Sequence, residues 1–134
     1  MSDGTRLFPY LKIGAYHRPI IPLFLRYKEI TIEYHALVDS GADFNLFHAD
    51  LAGIFGIPLE HADQERISGV GGDARAYQHI FDISIDQHTF FPAPVLLSPD
   101  ITLNSYGIVG QVGFFNKFIV EFTYQTKQIA LTAL

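Results

Sequence analysis

Cysteine is absent from all 134 residues. That removes disulfides, thiolate metal sites and cysteine nucleophiles together. Charge is scarce too: Asp, Glu, Lys and Arg make up 17% of the chain, the net charge is −5, and the nine Lys and Arg form no basic run. A nucleic acid is therefore not an expected partner. No apolar run approaches the ~20 residues that span a bilayer, so a membrane is not expected either. The opening Met1-Ser2-Asp3-Gly4-Thr5-Arg6 lacks the basic-then-apolar layout of a signal peptide. The expected location is cytoplasmic.

Two chemical signatures are also missing. There is no GxxxxGK[ST] phosphate loop, and no convincing helix follows Gly72 to aim its N-terminus at an anion. There is no HExxH, and His17, His35, His48, His61, His79 and His88 are scattered singly over different segments. A metal-dependent hydrolase built on some of these histidines is the weaker reading, and neither a metal nor another cofactor is expected.

What is present is apolar. Hydrophobic residues make up 49% of the chain. Its length fits a single domain spanning 1–134 with a real core. The apolar excess suits either a generous core or surface hidden in an oligomer. No repeat, low-complexity stretch or linker interrupts the chain. Strands are expected over 7–13, 20–27 and 30–38, with 14–19 as a connection. A short helix is expected within 48–55, capped by Gly56 and stopped by Pro58. A strand pair is expected over 80–86 and 88–97, in which Pro92 and Pro94 make the later segment an edge or interrupted strand. A terminal hairpin is expected from Phe118–Tyr124 and Gln128–Leu134.

The organising stretch is Ala36-Leu37-Val38-Asp39-Ser40-Gly41-Ala42-Asp43. A β-branched, apolar run delivers a carboxylate, a hydroxyl and a glycine at its end, which reads as a buried strand ending in a sharp turn. By itself Asp-Ser-Gly is a common strand-ending turn in which the Asp side chain bonds its own backbone. Two later stretches add to it. Ile67-Ser68-Gly69-Val70-Gly71-Gly72-Asp73 puts three glycines in four residues, suited to a hairpin tip, with 75–85 as the returning strand. Tyr106-Gly107-Ile108-Val109-Gly110-Gln111-Val112-Gly113-Phe114-Phe115 ends an apolar pair in glycine, and Phe114, Phe115 and Phe118 follow at helical spacing.

In this order and spacing the three stretches resemble the retropepsin-like aspartic proteases, whose signature is apolar-apolar-Asp-[Ser/Thr]-Gly-Ala. The resemblance runs from Val38 to Phe115, and Gly-Gln-x-Gly-Phe-Phe is similar to the small bacterial members. It implies an all-β fold, a retropepsin-like barrel-like lobe with one or two short helices, acting as a homodimer. It implies Asp39 as the catalytic residue, with Ser40, Gly41 and Ala42 supporting its loop. Gly41 and Asp43 would hold the peptide backbone, under a flap of Ser68, Gly69, Val70 and Gly71. Ile108, Val109, Gly110 and Gln111 would support the site.

Arg18-Pro19 extends the match weakly. In retroviral members an arginine there pairs with the aspartate that Asp43 matches, in the other subunit. Those members also carry an arginine after the second glycine, where this chain has Gln111; a neutral amide can hydrogen-bond Asp43 but cannot neutralise it. Aspartic protease chemistry needs two carboxylates on one water, and only one apolar-Asp-[Ser/Thr]-Gly occurs here, so the second Asp39 must come from another copy. The expected activity is endopeptidase cleavage of a peptide or protein substrate. The alternative is a catalytically silent dimeric peptide-binding or structural module of the same fold.

Overall fold

The computed structural model describes residues 4–59, 64–69, 72–101 and 106–134, with the backbone alone described for 64–69 and 72–74. The strands are β1 (Thr5–Pro9), β2 (Leu11–Ile13), β3 (Tyr16–Arg18), β4 (Ile20–Tyr27), β5 (Ile30–Val38) and β6 (Asn45–His48). After helix α1 (Asp50–Phe55) come β7 (Gln64–Gly69), β8 (Gly72–Ser84), β9 (Phe91–Ser98), β10 (Gly107–Val109), β11 (Phe118–Thr123) and β12 (Gln128–Ala133).

β4 and β5 form an antiparallel hairpin from Ile20↔Leu37 to Tyr27↔Ile30, turning on Lys28 at φ 54°. The large sheet runs β4-β5-β10-β6-β9-β8-β7. It closes on itself where Phe24 pairs Ser84, Leu25 pairs Ile83 and Arg26 pairs Asp82. The result is a closed barrel of six strands, with β7 added outside β8. Alternation along the strands sends Leu23, Leu25, Val38, Phe47, Phe81, Val95, Leu97 and Val109 into the interior, each almost wholly buried. The terminal strands form a second sheet, β1-β12-β11. Its Ile129 and Leu131, with Phe8, Phe114 and Phe118, join the same core as the barrel. The terminal hairpin and the inward packing of Phe114 and Phe118 are thus as the sequence predicts.

Four local expectations change. The strand expected over 7–13 is two: β1 pairs β12, while β2 folds back on β3 across Gly14 at φ 61°. Part of the expected connection 14–19 is therefore strand. β8 is one long strand from Gly72 to Ser84 rather than a hairpin arm followed by a second strand starting at Ile80. β9 is an interior strand between β6 and β8, despite its two prolines. Pairing with β6 starts only at Val95, so Pro92 and Pro94 face a neighbour on the β8 side alone and their missing N–H groups break no ladder with β6. Finally, 111–117 is a series of turns, not a second helix. Gly113 at φ 105° lies outside helical space and interrupts it.

The connection after β8 is built by Asp86. Its carboxylate accepts from Thr89 N (2.8 Å), His88 N (2.9 Å) and Ser84 Oγ (2.9 Å). The Thr89 amide foremost, with those of His88 and the Ser84 hydroxyl, lowers its pKa to about 2. Its support of this turn is present at neutral pH and is lost as pH falls toward that value.

Candidate active site

β5 ends at Val38, held by its amide to Pro19 O (2.9 Å), and the chain leaves the sheet at Asp39. Three hydrogen bonds then fix the Asp39 loop, one to β10 and two within the loop itself. Asp39 N donates to Val109 O (3.0 Å), Ala42 N donates back to Asp39 O (3.1 Å), and Gly41 N donates to Asp39 Oδ1 (2.9 Å). The last bond is the side-chain turn that Asp-Ser-Gly favours on its own. Here it also aims a half-buried carboxylate, and no group among the described residues hydrogen-bonds the second oxygen of Asp39.

β10 braces the loop from the other side. It runs parallel to β5, pairing Gly107, Ile108 and Val109 with Ala36, Leu37 and Val38. Past its end, Gln111 N donates to Ala42 O (2.9 Å) and Val112 N to Asp43 O (2.8 Å), and Phe44 bridges Val112. Gly110 is required by contact rather than by conformation. A Cβ there would lie 2.5 Å from Ala42 O and 2.7 Å from Phe44 O, both backbone atoms. The Gln111 side chain reaches Ser40 O (2.7 Å), so its amide braces the loop backbone.

Asp43 is exposed, and so is Arg18, whose guanidinium lies 5.9 Å from the Tyr16 ring centroid. Within one chain no Arg18–Asp43 ion pair occurs among the described residues. Ser68 and Gly69 lie on β7, with Ser68 opposite Asp73 and Gly69 opposite Gly72. Val70 and Gly71 lie outside the described residues. Of the histidines, His35 lies 3.9 Å from Glu33 and His48 3.5 Å from Asp50. Among the described residues no three His, Cys, Asp or Glu side chains gather into a metal-binding group, and no helix is long and apolar enough to cross a membrane.

One supporting residue escaped the sequence reading. Asn45, fully buried on β6, accepts from Gly110 N (3.0 Å) and donates to Pro94 O (3.2 Å). It ties the glycine under the Asp39 loop to β9. The signal was available: a lone amide in Phe44-Asn45-Leu46-Phe47 must find partners if that run is buried. Asn45→Leu, close in size, would strand both backbone groups. We expect a loss of about 1–3 kcal/mol for each, read as a lowered urea midpoint. An unchanged midpoint would show that Asn45 does not carry this brace.

No family model matches the chain, and no curated protein matches it in sequence. Among solved structures, it is similar to a retropepsin-like aspartic protease from Rickettsia conorii. That likeness has a TM-score of 0.71 at 15% identity and covers 96% of this chain and 98% of the other. The fold is retropepsin-like.

Proposed function

We propose that the chain is an aspartic endopeptidase that works as a homodimer, with one Asp39 from each subunit. The observation that carries this reading is the Asp39-Ser40-Gly41 loop in this fold, its carboxylate oriented by Gly41 N and its backbone clamped by Val109, Gln111 and Val112. A single such loop per chain requires a two-fold partner to supply the second carboxylate.

With both carboxylates facing one water, the ionised Asp39 takes a proton from it. The water oxygen then bonds to the scissile carbonyl carbon, and the protonated Asp39 gives its proton to the carbonyl oxygen. Collapse of the resulting diol breaks the C–N bond as a proton passes to the leaving nitrogen. Ser40, Gly41 and Ala42 hold the loop. Gly41 and Asp43 bind the peptide backbone, beneath a flap formed by Ser68, Gly69, Val70 and Gly71. Ile108, Val109, Gly110 and Gln111 support the pair from below, and Arg18 acts as a partner for Asp43 across the interface.

Exposed apolar side chains beside the loop, Phe44 at 49% and Val112 at 47%, fit a surface that is covered in use. Sedimentation at micromolar concentration should find a dimer, and peptide cleavage should survive a chelator. A strictly monomeric protein would sink the paired-carboxylate mechanism. Loss of activity with the chelator would favour the metal-dependent reading.

A further inference from the structure

β8 has two strand neighbours along part of its length and one along the rest. It pairs with β9 from Ile83↔Phe91 to Tyr77↔Leu97, and with β7 from Tyr77↔Gln64 to Gly72↔Gly69. Outward of Tyr77 its only strand neighbour among the described residues is β7. The two strands therefore leave the barrel there as a hairpin, and a two-stranded ribbon has little rigidity of its own.

The register would next set Arg75 against Pro99, but β9 ends at Ser98. The Asp100 carboxylate takes the place of the missing strand. Its Oδ2 accepts from Arg75 N (2.9 Å) and Arg75 Nε (3.2 Å), and its Oδ1 accepts from Arg75 Nη2 (3.1 Å). One carboxylate thus holds backbone and side chain together at the point where the hairpin departs. Asp100 is itself anchored. Its amide donates to Oγ of the buried Ser98 (3.1 Å), and Ser98 O accepts from Ala49 N (3.0 Å), just before α1. An exposed ion pair ordinarily contributes little. This one is bidentate and adds a backbone amide, which fixes direction as well as distance. The Arg75 guanidinium and amide hold the Asp100 carboxyl below the usual carboxylate range, so the pair is charged at neutral pH.

We propose that Asp100 and Arg75 are positioning residues: they fix the angle at which the β7–β8 hairpin leaves the barrel, and through it the affinity for a peptide held between the hairpin and the Asp39 loop. The proposal rests on the endopeptidase reading, in which Ser68 and Gly69 lie over the peptide. Arg75 and Gly72 are three residues apart on β8, about 10 Å of extended strand. A rotation of about 10° at Arg75 would move the end of the hairpin by about 2 Å, enough to make or lose a hydrogen bond. Asp100 also opens the connection from β9 to β10, the strand that braces the Asp39 loop. The pair acts through the hairpin rather than on the reacting atoms, so it favours ground state and transition state alike.

The test is steady-state cleavage of one peptide picked from a randomised decapeptide library. Asp100→Ala, which removes all three bonds to Arg75, should raise KM by about three- to tenfold and leave kcat within about twofold of wild type. Arg75→Ala keeps its backbone amide for Asp100 and should raise KM less, and Arg75→Lys should recover part of that rise. The double Ala variant should match Asp100→Ala alone, because the two residues act as one unit. Hydrogen exchange should quicken at the amides of 64–69 and 72–76 and stay unchanged in β4, β5 and β10. A KM that no variant moves, or a fall in kcat or in the urea midpoint without a rise in KM, overturns the proposal and leaves the endopeptidase reading standing.

A second arm separates the two ideas. Immobilised Asp39→Asn protein is used to retain the same library, with and without Asp100→Ala added. If wild type cleaves nothing, yet Asp39→Asn retains peptides and Asp100→Ala weakens that retention about threefold or more, the positioning role stands and the endopeptidase reading falls. Without cleavage, no retention, or retention that Asp100→Ala does not weaken, overturns both.

Discussion

Asp39→Asn should abolish peptide cleavage while leaving the fold intact. The substitution is nearly isosteric, and the Asn45-like amide oxygen it introduces can still accept from Gly41 N, which lies 2.9 Å from Asp39 Oδ1. The clamps to Val109, Gln111 and Val112 are backbone contacts that the side chain does not enter. What disappears is the group that takes a proton from water, in both subunits at once. Positioned acid–base groups contribute about 10²–10⁴-fold, and losing both members of a pair should cost at least the upper part of that range in kcat/KM. Dimerisation should be as strong or stronger, because the pair no longer has to hold a proton for its two side chains to share one site. Full activity in this variant would refute the catalytic role of Asp39.

Gly110→Ala should be strongly destabilising, because the contact it creates is with backbone. The added methyl would meet Ala42 O at 2.5 Å and Phe44 O at 2.7 Å. Neither atom is the flexible end of a side chain, so the loop and β10 would have to part. Overpacking costs about 1–3 kcal/mol and more where backbone must move. Here the movement also breaks the bonds from Gln111 N and Val112 N that hold the loop. We expect a urea midpoint lowered by an amount in or above that range, together with loss of cleavage in whatever protein remains folded. Gly41→Ala is the graded comparison: its methyl would sit 3.3 Å from Asp39 Oδ1, a side-chain atom that can give. If Gly110→Ala behaves no worse than Gly41→Ala, the close fit of Gly110 against the loop does not matter.

The parts of this molecule legible in the sequence are those fixed by short-range chemistry. Asp39-Ser40-Gly41 sets its own side-chain turn within three residues, and Gly56 at φ 73° ends α1 where a helix stop was expected. The hairpins β4–β5 and β11–β12 follow from alternation on either side of a turn. What was not legible depends on which strands become neighbours. Pro92 and Pro94 argued for an edge strand, yet β9 is interior because its partner β6 starts alongside it only after the second proline. Asn45 gains its meaning from Gly110, 65 residues away, and from Pro94 on a third strand. Gln111 was read by charge against Asp43, whereas its reach to Ser40 O depends on how tightly Gly110 lets the two loops approach. Helical spacing of Phe114 and Phe118 was correct about burial and not about conformation, since Gly113 turns the chain between β10 and β11.

The claim at the centre of this account is that each active site is shared between two copies of Asp39, and subunit mixing tests it directly. Wild-type and Asp39→Asn proteins are unfolded, combined in equal amounts at fixed total concentration and refolded together so that partners pair at random. If both carboxylates are needed, only dimers with two wild-type subunits cleave, and activity should fall to about one quarter of the wild-type value. Across mixtures it should follow the square of the wild-type fraction. A fall to about one half, linear in that fraction, would mean that each chain carries a complete site of its own and would contradict the account.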